Sequence, residues 1–322
     1  MPLATSFLII LPSNRKIAMS TLQSTFKSRD TEEWLDIHFT RPVGYLWAKL
    51  FEKLGVHPNV VTLLSIILGT GAAVCFYFEN YWVNVIGILC LMWANFYDSA
   101  DGQLARMTGQ KTRLGRVLDG FAGDVWFFCI YLAICLRLTP TWEWWIWALC
   151  AVAGFLCHGP QCQMADYYRN VHLYVVEGAA KSELHRAESL RQEYERTSWR
   201  GNLVWKIFLF FYERYTRGQE RRTPAFQKFR EQAEKTYGAA FPEPLRQAFR
   251  KGSLPLVAYA NILTFNTRAI ALYASLLLTM PWLYPLFEIL VLQPLCYIMQ
   301  HRHEMLCQRL TQKIIPTNET HI

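Results

Sequence analysis

Six apolar blocks, each near the ~20 residues that a helix needs to cross a bilayer, recur along this 322-residue chain at 60–78, 81–97, 117–136, 144–157, 262–280 and 283–299. Half the residues (52%) are hydrophobic, yet the mean hydropathy is only +0.08, so these blocks alternate with strongly polar stretches. The expected fold is all-α and integral to a membrane: about six transmembrane helices, an N-terminal juxtamembrane amphipathic helix and a helical cytoplasmic insert. Pro58 suits the first turn of the first span, where a missing N–H costs nothing. The fourth block is short unless it continues past His158, and the fifth contains Arg268.

Charge sets the expected orientation. The first connection, with Glu79 and Asn80, has no basic residue, whereas the second holds Arg106, Lys111, Arg113 and Arg116. Basic residues also crowd the stretches before the first span, after the fourth and after the sixth. The positive-inside rule then places both termini and the second connection in the cytoplasm, with the bacterial inner membrane as the expected location. Trp142, Trp144, Trp145 and Trp147 would form an aromatic belt at the opposite interface.

The remaining organisation reads as a disordered tail at 1–30, a juxtamembrane segment at 31–57, spans one to four at 58–160, a basic insert at 161–255, spans five and six at 256–301 and a tail at 302–322. Phe7 to Leu11 is too short for a signal-peptide core, and Met19 is an alternative start to Met1. Val43, Leu46, Trp47, Leu50 and Leu54 recur at helical spacing with Lys49, Glu52 and Lys53 between them, an interfacial pattern that Pro42 should break. From Asp166 to Lys251 there are 17 Lys and Arg against 11 Asp and Glu, most of the chain's net charge of +8. Within that insert, Leu203 to Tyr212 is apolar but too short to span. It reads as an interfacial anchor or a helix packed under the membrane domain, with the insert's positive charge attracted to anionic lipids, or equally the insert is solvated helices extending the cytoplasmic face.

Nine cysteines are scattered mostly through the apolar blocks, where free Cys acts as a small hydrophobe, so no disulfide framework is expected. No Cys or His pair has metal-ligand spacing. No glycine-rich phosphate loop, nucleophile elbow or nucleic-acid motif is present, and the basic balance follows from membrane topology rather than from nucleic acid.

The chemistry lies in one connection. Asp98 and Asp101 are three residues apart, Ala105 and Arg106 follow on the next turn, and Gly115 and Asp119 open the third block. Carboxylates at the edge of a span are costly unless they do something. Clustered with small Gly and Ala neighbours, they can hold a hard divalent cation and admit a phosphorylated ligand. The same residues resemble the CDP-alcohol phosphatidyltransferases, whose pattern is Asp-x2-Asp-Gly-x2-Ala-Arg-x8-Gly-x3-Asp-x3-Asp. Asp98, Asp101, Gly102, Ala105, Arg106, Gly115 and Asp119 match at every spacing, while the last position holds Gly123, with Asp124 one step later.

The resemblance implies transfer of a phosphatidyl group from a CDP-linked lipid to a polar alcohol with release of CMP. It implies Mg²⁺ or Mn²⁺ held by Asp98, Asp101 and Asp119, and a cytidine diphosphate site around Asp98, Gly102, Ala105 and Arg106. A homodimer is also implied. In the family the fourth aspartate looks like the base that takes the acceptor's proton. Asp124 fills that role here if a one-residue bulge, encouraged by Gly120 and Gly123, carries it round the helix; otherwise another base or a water serves, or the site is catalytically weakened, and Asp124 is a buried structural carboxylate paired with a basic residue. A phosphorylated acceptor such as inositol phosphate needs further cations. Arg268 is the candidate, with pairing to Glu288 as the alternative, and Lys111, Arg113 and Arg116 are weaker ones. Two other readings stand beside this one: a CDP-head-group transferase acting on diacylglycerol or ceramide, and a non-enzymatic ion-coupled transporter.

Overall fold

The computed structural model describes residues 28, 30–110, 112–238 and 240–314, and no strand occurs among them. The N-terminal stretch with Met1, Phe7 to Leu11 and Met19, residues 315–322, Lys111 and the side chains of Arg113 and Arg116 lie outside the described residues.

Thirteen α-helices follow one another among these residues. They are α1 (Arg41–Lys53), α2 (Pro58–Tyr77), α3 (Tyr81–Thr108), α4 (Arg113–Trp142), α5 (Trp145–Ala151), α6 (Gly159–Val176), α7 (Ala187–Arg196), α8 (Leu203–Arg222), α9 (Pro224–Tyr237), α10 (Glu243–Ile262), α11 (Phe265–Leu277), α12 (Leu283–Phe287) and α13 (Gln293–Ile314). Short π-helical turns precede α1 (Asp36–Thr40) and join α5 to α6 (Val152–His158) and α12 to α13 (Glu288–Leu292).

Among the described residues, four stretches are long and apolar enough to cross a membrane: Pro58–Tyr77, Tyr81–Thr108, Val117–Trp142 and Leu283–Ile314. Six were expected. The fifth block folds as the 13-residue α11, about 20 Å at 1.5 Å per residue against a ~30 Å hydrocarbon core. The fourth block does continue past His158, but as α5, a π turn and the more polar α6 rather than as one apolar helix. Pro42 does not break the first helix. The widened turn before it closes with the Arg41 N–H donating to the Asp36 carbonyl, and Pro42 then occupies the first turn of α1, where its lack of a donor is harmless.

The described residues form two compact units, one comprising those up to Gly69 with Leu91–Ala122, the other Thr70–Cys90 and those from Gly123 on. In the first unit α1 packs by Tyr45, Ala48 and Phe51, with Ala48, Phe51, Val61, Ala100 and Leu104 in one apolar cluster. Gly44 permits the close approach, since a Cβ there would stand 2.8 Å from Ser99 Oγ. Gln103 fastens the same contact by donating to the Arg41 carbonyl at 3.1 Å. Leu46, Leu50 and Leu54 form an exposed row on the other side of α1.

In the second unit the insert is not a separate layer. α6, α9 and α10 surround the end of α13, burying Tyr168, Phe226, Phe229, Phe249, Cys307 and Leu310 together. Residues 302–314, read from sequence as the start of a tail, are thus the packed last turns of α13. Glu304 on α13 accepts the Ala225 N–H at 2.6 Å and so caps the start of α9.

Candidate active site

α3 runs on past its apolar block to Thr108, and Gly109, at φ 71°, ends it in the left-handed conformation that glycine adopts freely. Its last three turns carry Asp98, Asp101, Gly102, Ala105 and Arg106. α4 starts five residues later and brings Asp119 back to them. One carboxylate oxygen from each of Asp98, Asp101 and Asp119 lies within 4.8 Å of the others. Asp101 is buried, Asp98 half-buried and Asp119 exposed, so the group opens to one side. Three carboxylates this close repel one another unless a cation or protons intervene, and an all-oxygen donor set is what Mg²⁺ or Mn²⁺ takes.

Neighbours set the geometry. Thr62 on α2, buried, donates from Oγ1 to Asp101 Oδ2 at 2.5 Å and fixes that carboxylate. A Cβ on Gly102 would sit 3.4 Å from an Arg106 guanidinium nitrogen, so the arginine lies back against the backbone of its own preceding turn. A Cβ on Gly115 would come within 2.7 Å of Asn59 Oδ1, and that carboxamide is also 3.4 Å from Thr112 Oγ1. At Gly115 a polar group therefore approaches the chain too closely for a side chain unless Asn59 shifts, whereas a Cβ at Gly102 would make ordinary contact with Arg106. Thr62 and Asn59 were not among the expected site residues. The available signal was a hydroxyl one turn after the helix-starting Pro58, inside an otherwise apolar run.

The stretch of sequence that builds this site has counterparts in known proteins. Residues 55–173 match the family model described as CDP-alcohol phosphatidyltransferase. The chain is similar to a bifunctional IPC transferase and DIPP synthase of Aquifex aeolicus, 29% identical over 97 residues, which is 30% of this chain and 22% of that one. It is similar to an archaetidylinositol phosphate synthase of Pyrococcus horikoshii, 28% identical over 95 residues, 30% of this chain and 49% of that one. A CDP-diacylglycerol–glycerol-3-phosphate 3-phosphatidyltransferase of Salmonella typhimurium is 33% identical over 89 residues, 28% of this chain and 47% of that one. The chain thus spans about half or less of the length of the curated relatives it matches.

Two positions depart from what the family pattern led one to expect. α4 is uninterrupted α-helix through Gly120 and Gly123, so the expected bulge is absent and Asp124, exposed, stays about 100° round the helix from Gly123. In the second unit, Arg268 is fully buried and ion-paired to the equally buried Glu288. Its other donors reach Gln161 Oε1 at 2.7 Å and the Leu263 carbonyl at 3.2 Å. Tyr284 donates to Glu288 at 2.5 Å, Tyr131 donates to it as well, and His158 Nδ1 is 3.1 Å away. A guanidinium engaged at each nitrogen has no donor left for an acceptor's phosphate. The expected acceptor role gives way to the pairing alternative, because hydrocarbon leaves a buried arginine no cheaper arrangement.

Proposed function

We propose that the chain transfers a phosphatidyl group from a CDP-linked lipid to a polar alcohol at the membrane surface, releasing CMP. The convergence of Asp98, Asp101 and Asp119 beside Gly102, Ala105 and Arg106 carries this reading. The donor set fits Mg²⁺ or Mn²⁺, and such an ion would neutralise the diphosphate and stabilise the departing phosphate of CMP. Thr62 holds Asp101 in one orientation. Arg106, laid against Gly102, offsets negative charge on the cytidine diphosphate that Asp98, Gly102 and Ala105 surround. With no bulge in α4, the proton of the attacking hydroxyl passes to Asp124 through a water as the hydroxyl oxygen bonds to phosphorus and the bond to CMP breaks.

The acceptor is a phosphorylated polyol such as inositol phosphate. This rests on the relatives' names, which specify archaetidylinositol phosphate in one case and glycerol 3-phosphate in another. The basic residues of the α3–α4 connection support a site and termini facing the cytoplasm of a bacterial inner membrane. The protein acts as a homodimer. Carboxylates gathered at one connection rather than at broken helices in the bilayer midplane favour this reading over an ion-coupled transporter.

The test is CMP release by purified protein given labelled CDP-diacylglycerol and a panel of alcohols, then CDP-linked head groups with diacylglycerol or ceramide. Release only in the first series, abolished by EDTA and restored by Mg²⁺ or Mn²⁺, is the expected result. Release only in the second reverses the donor's cargo, and release in neither overturns the enzyme reading. Crosslinking in native membranes that yields monomers at every dose overturns the dimer.

A further inference from the structure

The insert carries an apolar surface that the aspartate chemistry does not use. On α8, Leu203, Val204, Ile207 and Phe211 are 56%, 56%, 43% and 63% exposed, and Trp199 just before the helix is 53% exposed. At 100° per residue these four helical positions share one face. A helix bathed in water places its apolar stripe inward and its charges outward. Here the arrangement is reversed. Lys206 is buried, its ammonium donating to the Thr197 carbonyl at 2.7 Å and lying 4.7 Å and 4.9 Å from the Tyr194 and Trp199 ring centres. Trp205 donates its indole N–H across the hairpin to the exposed Glu193 at 3.2 Å. The start of α8 therefore buries its lysine and presents hydrocarbon outward, while α7 keeps Glu188, Arg191, Glu195 and Arg196 exposed.

What covers that face follows from where α8 is fastened. Gln163 donates to the Tyr215 carbonyl at 2.5 Å, and its own carbonyl accepts from Gln219 at 3.1 Å. Gln161, two residues earlier on α6, donates to the Glu288 carbonyl and to Gln293 Oε1. Both of those belong to the membrane-spanning stretch Leu283–Ile314. Two residues of helix rise only about 3 Å, so α8 is fastened at Tyr215 and Gln219 beside a stretch long and apolar enough to cross a membrane. The stripe ends at Arg214, whose guanidinium lies 4.2 Å over the Phe210 ring, and Arg196 and Arg200 are exposed at its other end. Apolar residues between flanking arginines are the pattern of a helix lying in a headgroup region with anionic lipids.

We propose that α8 is a monotopic membrane element, its Trp199–Phe211 stripe seated in the headgroup–acyl boundary of the same bilayer and its flanking arginines against anionic headgroups. The proposal does not depend on the chemistry of the aspartates. The test uses full-length protein in nanodiscs of phosphatidylcholine with phosphatidylglycerol. Ile207→Cys and Phe211→Cys are labelled with an environment-sensitive fluorophore, with Glu195→Cys on α7 as control and labelled parent protein as background. Lipids spin-labelled near the headgroup are expected to quench the 207 and 211 labels several-fold more than the 195 label, and more with phosphatidylglycerol than without. Equal quenching at the three positions overturns the proposal. So does crosslinking between copies through position 211 without lipid quenching, which makes a second copy the occupant. In a further variant, Leu203→Cys carries the label and Ile207→Asp and Phe211→Asp are added; its quenching should fall to the control level while the protein stays monodisperse. Quenching that persists there refutes a role for the stripe.

Discussion

Replacing Thr62 by valine removes one hydroxyl from a buried position and keeps the side chain's shape. That hydroxyl donates to Asp101 Oδ2 at 2.5 Å and lies 3.3 Å from the Pro58 carbonyl, and Thr62 is 2% exposed, so water does not readily replace it. A hydrogen bond to a charged group contributes about 1.5–3 kcal/mol. At ~1.4 kcal/mol per decade this corresponds to about 10- to 100-fold weaker cation binding, the range typical of lost partners around metal ligands. The assay is Mn²⁺ titration of purified protein followed by electron paramagnetic resonance, paralleled by CMP release against Mg²⁺ concentration. Thr62→Val should shift both midpoints upward by that factor, with most activity recovered at saturating metal. Thr62→Ser keeps the donor and should remain near wild type. Identical midpoints in Thr62→Val and wild type, with both proteins folded, would refute the idea that Thr62 orients a metal-binding carboxylate.

Asp124→Asn should lower turnover by about 10²–10⁴-fold while leaving binding of the CDP-linked donor largely intact; equal turnover at saturating substrate would remove Asp124 from the reaction. Arg268→Ala strands Glu288 without its counter-ion and should cost about 3–5 kcal/mol, read as a lower melting temperature in detergent. Arg268→Met with Glu288→Gln should be milder, and an unchanged melting temperature for Arg268→Ala would contradict the pairing. In the insert, burial alone would raise the Glu234 carboxyl, but hydrogen bonds from Tyr174 and Arg230 and the charges of Arg230 and Arg186 outweigh it and hold it below the usual range. The stabilisation is therefore present above the ordinary carboxylate value of about 4.3 and is lost as pH falls through the depressed one. Glu234→Gln should melt lower than wild type at neutral pH, and the gap should close on acidification; a gap that widens in acid would show the sign to be wrong.

Residue spacing and the family resemblance it carries pointed to the aspartate cluster, because its members come from two helix ends joined by a short connection. Asp98, Asp101, Ala105 and Arg106 fall together by helical periodicity, and Asp119 follows within a few turns. The all-helical, membrane-spanning character was legible for a similar reason, since apolar run length and helix rise are local quantities. Thr62 was not legible, being 39 positions from Asp101 and brought to it only by the packing of α2 on α3. Arg268 read equally well as an acceptor ligand or as a buried ion, and only the contacts made by Glu288, Gln161 and the Leu263 carbonyl decided between them. The same holds for α8. Its sequence fitted an anchor or a packed helix, and what separates the two is which face its neighbours cover. Periodicity records what a segment must bury; which partner buries it depends on contacts between residues far apart in the chain, and those exist only in the folded molecule.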